Sequence, residues 1–126
     1  MEGTQGSETP TIVMNVDVTD PFTVQDGKQD PIEIELGELR QAQLVFVALN
    51  HKLRRKMLRM LDSPEHLTVT DIYVRLRLEQ STASQHLAKL RRAGLVTTVR
   101  QGRNIIYSIN KQRLRYLAGV IEKLNA

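Results

Sequence analysis

The feature that most constrains the fold is a short amphipathic segment that ends at Gly94. Ala83, Leu87 and Leu90 recur at the spacing of one face of an α-helix, so a helix is predicted here. Polar side chains occupy the opposite face. Gly94 can take the left-handed conformation of a Schellman ending, which would return Leu95 to the apolar stripe. We therefore expect a helix with one buried face and one polar face, ending before Gly94.

The residues after this helix have the pattern of two β-strands. Residues 96–99 and 104–109 are rich in β-branched and aromatic side chains, and Gly102 lies between them. Two such runs around a glycine predict a β-hairpin. Arg100 and Arg103 flank its tip and should project from it together. Two neighbouring cations repel each other unless an anionic partner binds them. The pair of arginines at the hairpin tip therefore indicates a nucleic-acid partner.

A second short helix is predicted upstream of the first. The sequence from Thr68 to Asp71 has the form of a capping box, and the helix that it opens should run to about Arg77. Apolar side chains between the two helices supply the contacts that hold the pair at a fixed angle. This spacing predicts a helix-turn-helix, whose first helix crosses the DNA backbone and whose second lies in the major groove.

These pieces together resemble the ArsR-type family of winged-helix transcriptional repressors. The run from Ala48 to Ile109 that carries the resemblance covers roughly half of the chain. Its matching segments are ALNHKLRRKMLRML, LTVTDI, STASQHLAKLRRAGLV and RQGRNIIYSI. The resemblance implies a mainly α fold with a small β-hairpin, a winged helix-turn-helix of order α-α-α-α-β-β-α. It also implies a DNA-binding repressor whose first and last helices dimerise.

The chain departs from the family pattern at two places. Glu79 stands where the family usually has serine before the recognition helix, which bears on base preference and on capping. His51 and Lys52 stand where the family usually has Asp-Pro, which bears on a helix start. The resemblance implies a structural role for Arg54, which follows them.

Charge divides the chain into two parts. Residues 1–35 contain eight acidic side chains and one basic side chain, a net charge of −7, whereas the remaining residues carry 17 basic and six acidic side chains, a net charge of +11. A body this basic should attract a polyanion such as double-stranded DNA, with an affinity that falls as salt is added.

The predicted domain boundary follows the charge. Residues 1–31 are acidic, polar and interrupted by Pro and Gly, so we expect a flexible N-terminal segment. Residues 32–126 are expected to form one DNA-binding and dimerisation domain. Alternating apolar residues within 12–19 make a docked strand the alternative for that stretch. A further hypothesis is that the acidic segment screens the basic body and weakens non-specific DNA binding.

Three helices are predicted outside the motif. The first spans about 36–49, the second runs from a cap at Asn50 to about Leu61, and the third lies near the C-terminus. By resemblance, the first and third pair across a two-fold axis in a homodimer. The alternative is that the apolar stripe of the third only closes the monomer's core. The expected dimerisation residues are Leu36, Leu39, Phe46, Leu114, Leu117, Ala118, Ile121 and Leu124.

The polar face of the helix before Gly94 supplies the candidate DNA contacts. Gln85 and Ser81 are candidates for reading bases, because glutamine pairs bidentately with adenine and serine serves either partner. The other polar side chains of this face are candidates for phosphates, and the wing arginines for a minor groove. His86 is either a half-buried spacer between helix and wing or a phosphate donor. The predicted set is Gln80, Ser81, Thr82, Ser84, Gln85, His86, Lys89, Arg92, Arg100 and Arg103.

The residue content argues against several other functions. The 126 residues include no cysteine, which excludes a thiolate metal site, a redox thiol switch and disulfides. The three histidines lie in separate elements, so no metal and no cofactor are expected. No nucleophile, base and orienting group occur together, so we expect no enzyme. The sequence has neither a membrane-spanning stretch nor a signal peptide, which predicts a cytoplasmic protein without a membrane partner.

Two matters stay open at this point. The effector is an organic molecule, a partner protein or nothing at all. The alternative function is a winged helix used to bind protein or RNA, with the acidic segment masking the basic face or recruiting a partner. Selection of a palindromic duplex would separate operator recognition from this alternative.

Overall fold

The computed structural model describes residues 21–126, and the strand considered for residues 12–19 lies outside them. The described residues fall into two units, one ending at Gln41 and the other spanning Ala42–Ala126. All five predicted helices are present. In chain order the elements are β1 (Phe22–Asp26), β2 (Gln29–Ile34), α1 (Leu36–Leu49), α2 (Lys52–Leu61), β3 (Leu67–Thr68), α3 (Val69–Leu76), α4 (Gln80–Arg92), β4 (Val96–Gln101), β5 (Asn104–Ile109) and α5 (Lys111–Leu124).

The first unit contains an antiparallel hairpin of β1 and β2 that the sequence did not predict. Phe22 pairs with Ile34 and Val24 with Ile32, so the apolar side chains share one face. Pro31 and the neighbouring acidic residues weaken the strand signal in the sequence. The predicted domain boundary after residue 31 would fall inside β2.

The second unit is built around the apolar faces of its helices. The buried stripe of α4 lies in the core, and α4 contacts α3, α2 and β4. The predicted helix with one apolar face is confirmed. The fully buried large side chains of this core are Met57, Leu67, Ile72, Leu87, Leu90, Leu95 and Val96.

The start of α2 differs from the prediction. His51, and not Asn50, is the N-cap, and its Nδ1 accepts a hydrogen bond from the Leu53 amide at 3.2 Å. Asn50 instead belongs to the end of α1, because its amide donates to the Phe46 carbonyl at 2.8 Å. An imidazole nitrogen here does the work that an Asp or Ser oxygen does at other helix starts.

The predicted hairpin of β4 and β5 is present, and a third strand joins it. The strand order is β3-β5-β4, with Leu67 opposite Tyr107 and Thr68 opposite Ile106. A strand of two residues is too short to show an alternating pattern, so β3 could not be predicted from the sequence. Among the helices described, none is long and apolar enough to cross a membrane.

Candidate nucleic-acid interface

The helix α3 begins with the predicted capping box. The Thr68 hydroxyl accepts from the Asp71 amide at 3.2 Å, and the Asp71 carboxylate accepts from the Thr68 amide at 3.0 Å. The Thr68 amide first, and then the Thr68 hydroxyl, which donates to the same carboxylate at 3.1 Å, hold the pKa of the Asp71 carboxyl below its ordinary value. The prediction is confirmed, and the first helix of the motif has a defined start.

The turn between α3 and α4 depends on an arginine in the left-handed conformation. Arg77 has φ 57° and ψ 46°, and the Leu78 amide donates to the Tyr73 carbonyl at 2.9 Å. A residue with a Cβ accepts this conformation at a cost of about 1–2 kcal/mol. The bend sets the angle at which α4 leaves α3. This bend could not be predicted from the sequence, because arginine does not favour positive φ.

The side chains selected from the sequence lie on the solvent side of α4. Ala83, Leu87 and Leu90 are fully buried, so the other side of the helix is free to meet a partner. Thr82 and His86 are half-buried. The exposed members of the predicted set on this helix are Gln80, Ser81, Ser84, Gln85, Lys89 and Arg92.

The two ends of α4 are closed differently. Glu79 is the N-cap but makes no side-chain capping bond, so the first-turn amides receive no acceptor from it. At the other end Gly94 has φ 77°, its amide donates to the Arg91 carbonyl, and the Leu95 amide donates to the Leu90 carbonyl. This is the predicted Schellman ending, with Leu95 buried.

A side chain from the start of α5 holds the end of α4. The Asn110 amide nitrogen Nδ2 donates to the Gly94 carbonyl at 2.9 Å, while Oδ1 accepts from the Arg113 amide at 3.2 Å. The Asn110 backbone amide donates to the Leu95 carbonyl at 2.9 Å. Asn110 therefore caps α5 and fixes the turn after α4 at the same time. Sequence analysis missed this residue.

The wing places two arginines at an exposed tip. Gln101 pairs with Asn104, so Gly102 and Arg103 form a two-residue turn. Gly102 has φ 63° at the first turn position, as in a type II′ hairpin. Arg103 and Arg100 are both exposed. The hairpin was predicted from two β-rich runs around Gly102, and that prediction is confirmed.

His86 lies beside α2. Its Nδ1 is 3.1 Å from the Nη1 atom of Arg54, and its ring centroid is 4.8 Å from that of His51. Burial first, and then the charges of His51, Arg54 and Lys89, lower the pKa of His86. The sequence prediction considered packing against the wing, whereas the contacts observed are with the start of α2. His51 therefore does more than begin a helix.

Among residues 21–126, no salt bridge involves the basic side chains of α4 or the wing. Within residues 21–126, the salt bridges join Arg75 to Glu65 at 2.9 Å and Lys111 to Asp62 at 2.8 Å, and neither involves α4 or the wing. An anion that approaches this face therefore meets cations that are not already neutralised by those pairs.

The predicted dimerisation residues divide into exposed and buried groups. Leu39 and Leu124 are 55% and 71% exposed, and Ile121 and Ala118 are exposed as well. Leu117 is only 6% exposed and belongs to the core of its own chain. Its packing is that of the alternative, in which the stripe closes the core of the monomer. The remaining predicted residues are half-buried: Leu36, Phe46 and Leu114.

Apolar surface extends beyond the predicted set. Leu44, Val47 and Tyr116 are exposed on α1 and α5. An open cavity of about 610 Å³ joins the end of α1 to α5. Its lining residues are Phe46, Val47, Leu49, Asn50, Arg55 and Ile121.

The part of the chain from residue 21 onward shows no cluster of three or more His, Asp or Glu side chains placed to hold a metal ion.

The geometry described is that of a helix-turn-helix followed by a β-hairpin wing. It defines the winged-helix class.

Comparison with known proteins agrees with this class. Residues 49–99 match a sequence family described as a helix-turn-helix domain. The chain is 38% identical over 93 residues to the transcriptional repressor PagR of Bacillus anthracis. The aligned region covers 74% of this chain and 90% of PagR. It is 32% identical over 99 residues to the transcriptional activator HlyU of Vibrio cholerae, covering 77% of this chain and 91% of HlyU.

Solved structures show the same fold. An ArsR-like transcriptional regulator from Rhodococcus sp. RHA1 superposes with a TM-score of 0.61 at 27% identity, over 71% of this chain and 83% of that one. A homodimeric winged helix-turn-helix DNA-binding domain from Mycobacterium bovis has a TM-score of 0.59 at 26% identity, over 80% of this chain and 91% of that one. The chain belongs to the ArsR-type family of winged helix-turn-helix transcriptional regulators.

Proposed function

We propose that this protein is a sequence-specific DNA-binding transcriptional regulator that acts as a homodimeric repressor at an inverted-repeat operator. The observation that carries the proposal is the exposed polar face of α4 next to a wing with two exposed arginines. Its relative PagR is named a repressor, while HlyU is named an activator. Repression is therefore the part that rests on similarity to PagR. A cytoplasmic location is part of the proposal, because a regulator of this kind acts where the DNA is.

The exposed face of α4 is the proposed reading surface. Gln85 and Ser81 lie at its centre and reach base edges in the major groove. The exposed lysine and arginine of the helix, with the smaller polar side chains around them, contact phosphates and fix the helix in the groove. The first-turn amides add a partial positive charge at the end that receives no acceptor from Glu79.

The wing is the proposed second contact. Arg100 and Arg103 are exposed at the end of a hairpin that is stiffened by pairing on both sides of the turn. A narrow minor groove concentrates negative potential and attracts arginine. The wing arginines therefore add affinity and a preference for narrow grooves beside the site that α4 reads.

The exposed apolar side chains of α1 and α5 are the proposed dimer surface. Leu124, Ile121 and Leu39 are exposed although they are large and apolar, which a monomer would leave in contact with water. The related structure from Mycobacterium bovis is described as homodimeric. In a two-fold dimer the recognition helices would meet half-sites about one DNA turn, roughly 34–36 Å, apart.

For the effector that would release the protein from DNA, only a chemical class is proposed. The sequence contains no cysteine, so it has no thiolate for a soft metal or for thiol oxidation. The effector, if the protein responds to one, is an organic molecule or a partner protein.

The test is a selection of random duplex DNA with the purified protein at physiological salt, run in parallel for three forms. The wild type should enrich an inverted repeat. Gln85→Ala should flatten the preference at one position in each half-site, because a bidentate contact discriminates against the wrong base by about 1–3 kcal/mol. Gln112→Ala removes an exposed glutamine from α5 and should select the same sequence as the wild type.

The outcomes separate the proposal from the alternative of protein or RNA binding. If the wild type selects an inverted repeat and only Gln85→Ala loses base preference within it, the result supports base reading by α4 in a dimer. Uniform binding that salt abolishes, or no binding to duplex DNA, contradicts operator recognition. Equal effects of the two glutamine variants would contradict the assignment of α4 as the reading element.

A further inference from the structure

Arg54 joins three helices through one buried side chain. It is 4% exposed, and its guanidinium donates from Nε to the Ala48 carbonyl at 2.8 Å and from Nη2 to the Val47 carbonyl at 3.0 Å. The remaining nitrogen, Nη1, lies 3.1 Å from Nδ1 of His86. Arg54 therefore satisfies carbonyls at the end of α1 and also holds a side chain of α4.

The chemistry of arginine decides the protonation state of His86. A guanidinium can only donate hydrogen bonds, so Nδ1 of His86 must accept. The ring is then neutral, and its one proton is on Nε2. The lowered pKa of His86 agrees, since burial and the positive groups around the ring oppose a second proton. Those groups are Arg54 from α2, Lys89 from α4 and, when its ring is protonated, His51 at the N-cap of α2.

The Nε2 atom of His86 is the ring nitrogen that the hydrogen bond to Arg54 leaves without a partner among the described residues. Within the described residues, the hydrogen bond to Arg54 is the one that the His86 ring makes. The His86 side chain is half-buried, and Lys89, whose charge acts on the ring, is exposed on the same helix. An N–H at this place has the position and the polarity of a donor to an anion that lies along α4.

We propose that Arg54 is a positioning residue for DNA binding, which holds His86 in the neutral Nε2–H form so that this N–H donates to a DNA phosphate. The inference rests on the proposed function of α4. It assigns a neutral phosphate contact within a surface of charged ones. A neutral donor adds a hydrogen bond, but it displaces no counterion from the DNA, so its loss weakens binding without changing the salt dependence.

The first test measures the tautomer without DNA. In protein labelled with ¹⁵N-histidine at pH 7, the His86 ring of the wild type should show the neutral form protonated at Nε2. Arg54→Lys keeps a positive charge but cannot reach the two α1 carbonyls and His86 together, so it should give a mixture of the two neutral tautomers. A His86 ring that is charged or protonated at Nδ1 in the wild type overturns the proposal.

The second test uses two amides that each imitate one ring nitrogen. His86→Asn keeps an acceptor near the Nδ1 position but has no donor at Nε2, and it should weaken operator binding about fivefold with an unchanged salt slope. His86→Gln places an amide N–H near the Nε2 position and should retain most of the affinity. The control is Lys89→Ala, which should weaken binding and also reduce the salt slope by about one.

The pattern of results separates this inference from the function on which it rests. If His86→Asn binds as tightly as the wild type while Lys89→Ala weakens binding, α4 binds DNA but His86 donates to no phosphate, and the proposal is overturned. If neither the wild type nor Lys89→Ala shows salt-dependent binding, the DNA-binding function itself fails. The histidine spectra still report in that case whether Arg54 sets the tautomer.

Discussion

Replacing Asn110 by alanine tests whether α5 holds the end of α4. The Asn110 side chain caps α5 through the Arg113 amide and donates to the Gly94 carbonyl at 2.9 Å. Loss of an N-cap costs about 1 kcal/mol, and a half-buried carbonyl left without its partner costs about 1 kcal/mol more. We therefore expect Asn110→Ala to lower the free energy of unfolding by about 2 kcal/mol. For a domain of this size, that corresponds to a fall in Tm of about 8–16 °C.

The measurement is urea unfolding at one fixed protein concentration, because a dimer's stability depends on concentration. Asn110→Asp keeps the capping oxygen and lacks the donor to Gly94, so it should lose about half as much as Asn110→Ala. Asn125 is a matched control, since its Nδ2 also donates at 2.9 Å, to the Ile121 carbonyl, but at an exposed chain end. Asn125→Ala should change stability by less than about 0.5 kcal/mol. Equal losses for Asn110→Ala and Asn125→Ala would refute the reasoning.

Two further predictions concern charge. Because the pKa of His86 is lowered in the folded protein, the unfolded chain takes up this proton first, and stability is lost as pH falls from 6.5 towards the folded pKa. Urea unfolding at pH 7.5 and 5.5 should show a larger loss for the wild type than for His86→Gln, and equal losses would contradict this assignment. Deleting residues 1–30 removes much of the −7 segment and should raise affinity for random duplex DNA at low salt, as measured by fluorescence anisotropy. Unchanged affinity after the deletion would exclude electrostatic screening by that segment.

Elements defined by local patterns could be predicted from the sequence. The stripe of Ala83, Leu87 and Leu90 predicted α4, and Gly94 predicted where it ends. Both the helical period and the left-handed ending depend only on residues that are close in the sequence. The capping box at Thr68 is local in the same sense. The exposed polar face of α4 followed from these two facts, since one buried stripe leaves the opposite side to solvent.

Contacts between distant residues could not be predicted in this way. The cap of α2 went to His51 and not to Asn50, because that choice depends on where α1 ends. The strand β3 exists only as a partner of β5, and two residues carry no period. In the first unit, Pro31 concealed a strand whose apolar face becomes evident only when β1 pairs with β2.

The orientation of α4 depends on this second kind of contact. Arg54 of α2 binds His86 near the middle of α4, and Asn110 at the start of α5 binds the turn that follows it. These residues are 32 and 16 positions away from their partners in the chain, so no window of helical length contains either pair. Hydrophobic periodicity therefore determines that α4 forms and which face it buries. The hydrogen bonds of Arg54 and Asn110 add to the core packing of that stripe the long-range contacts that fix where the face with Gln85 points.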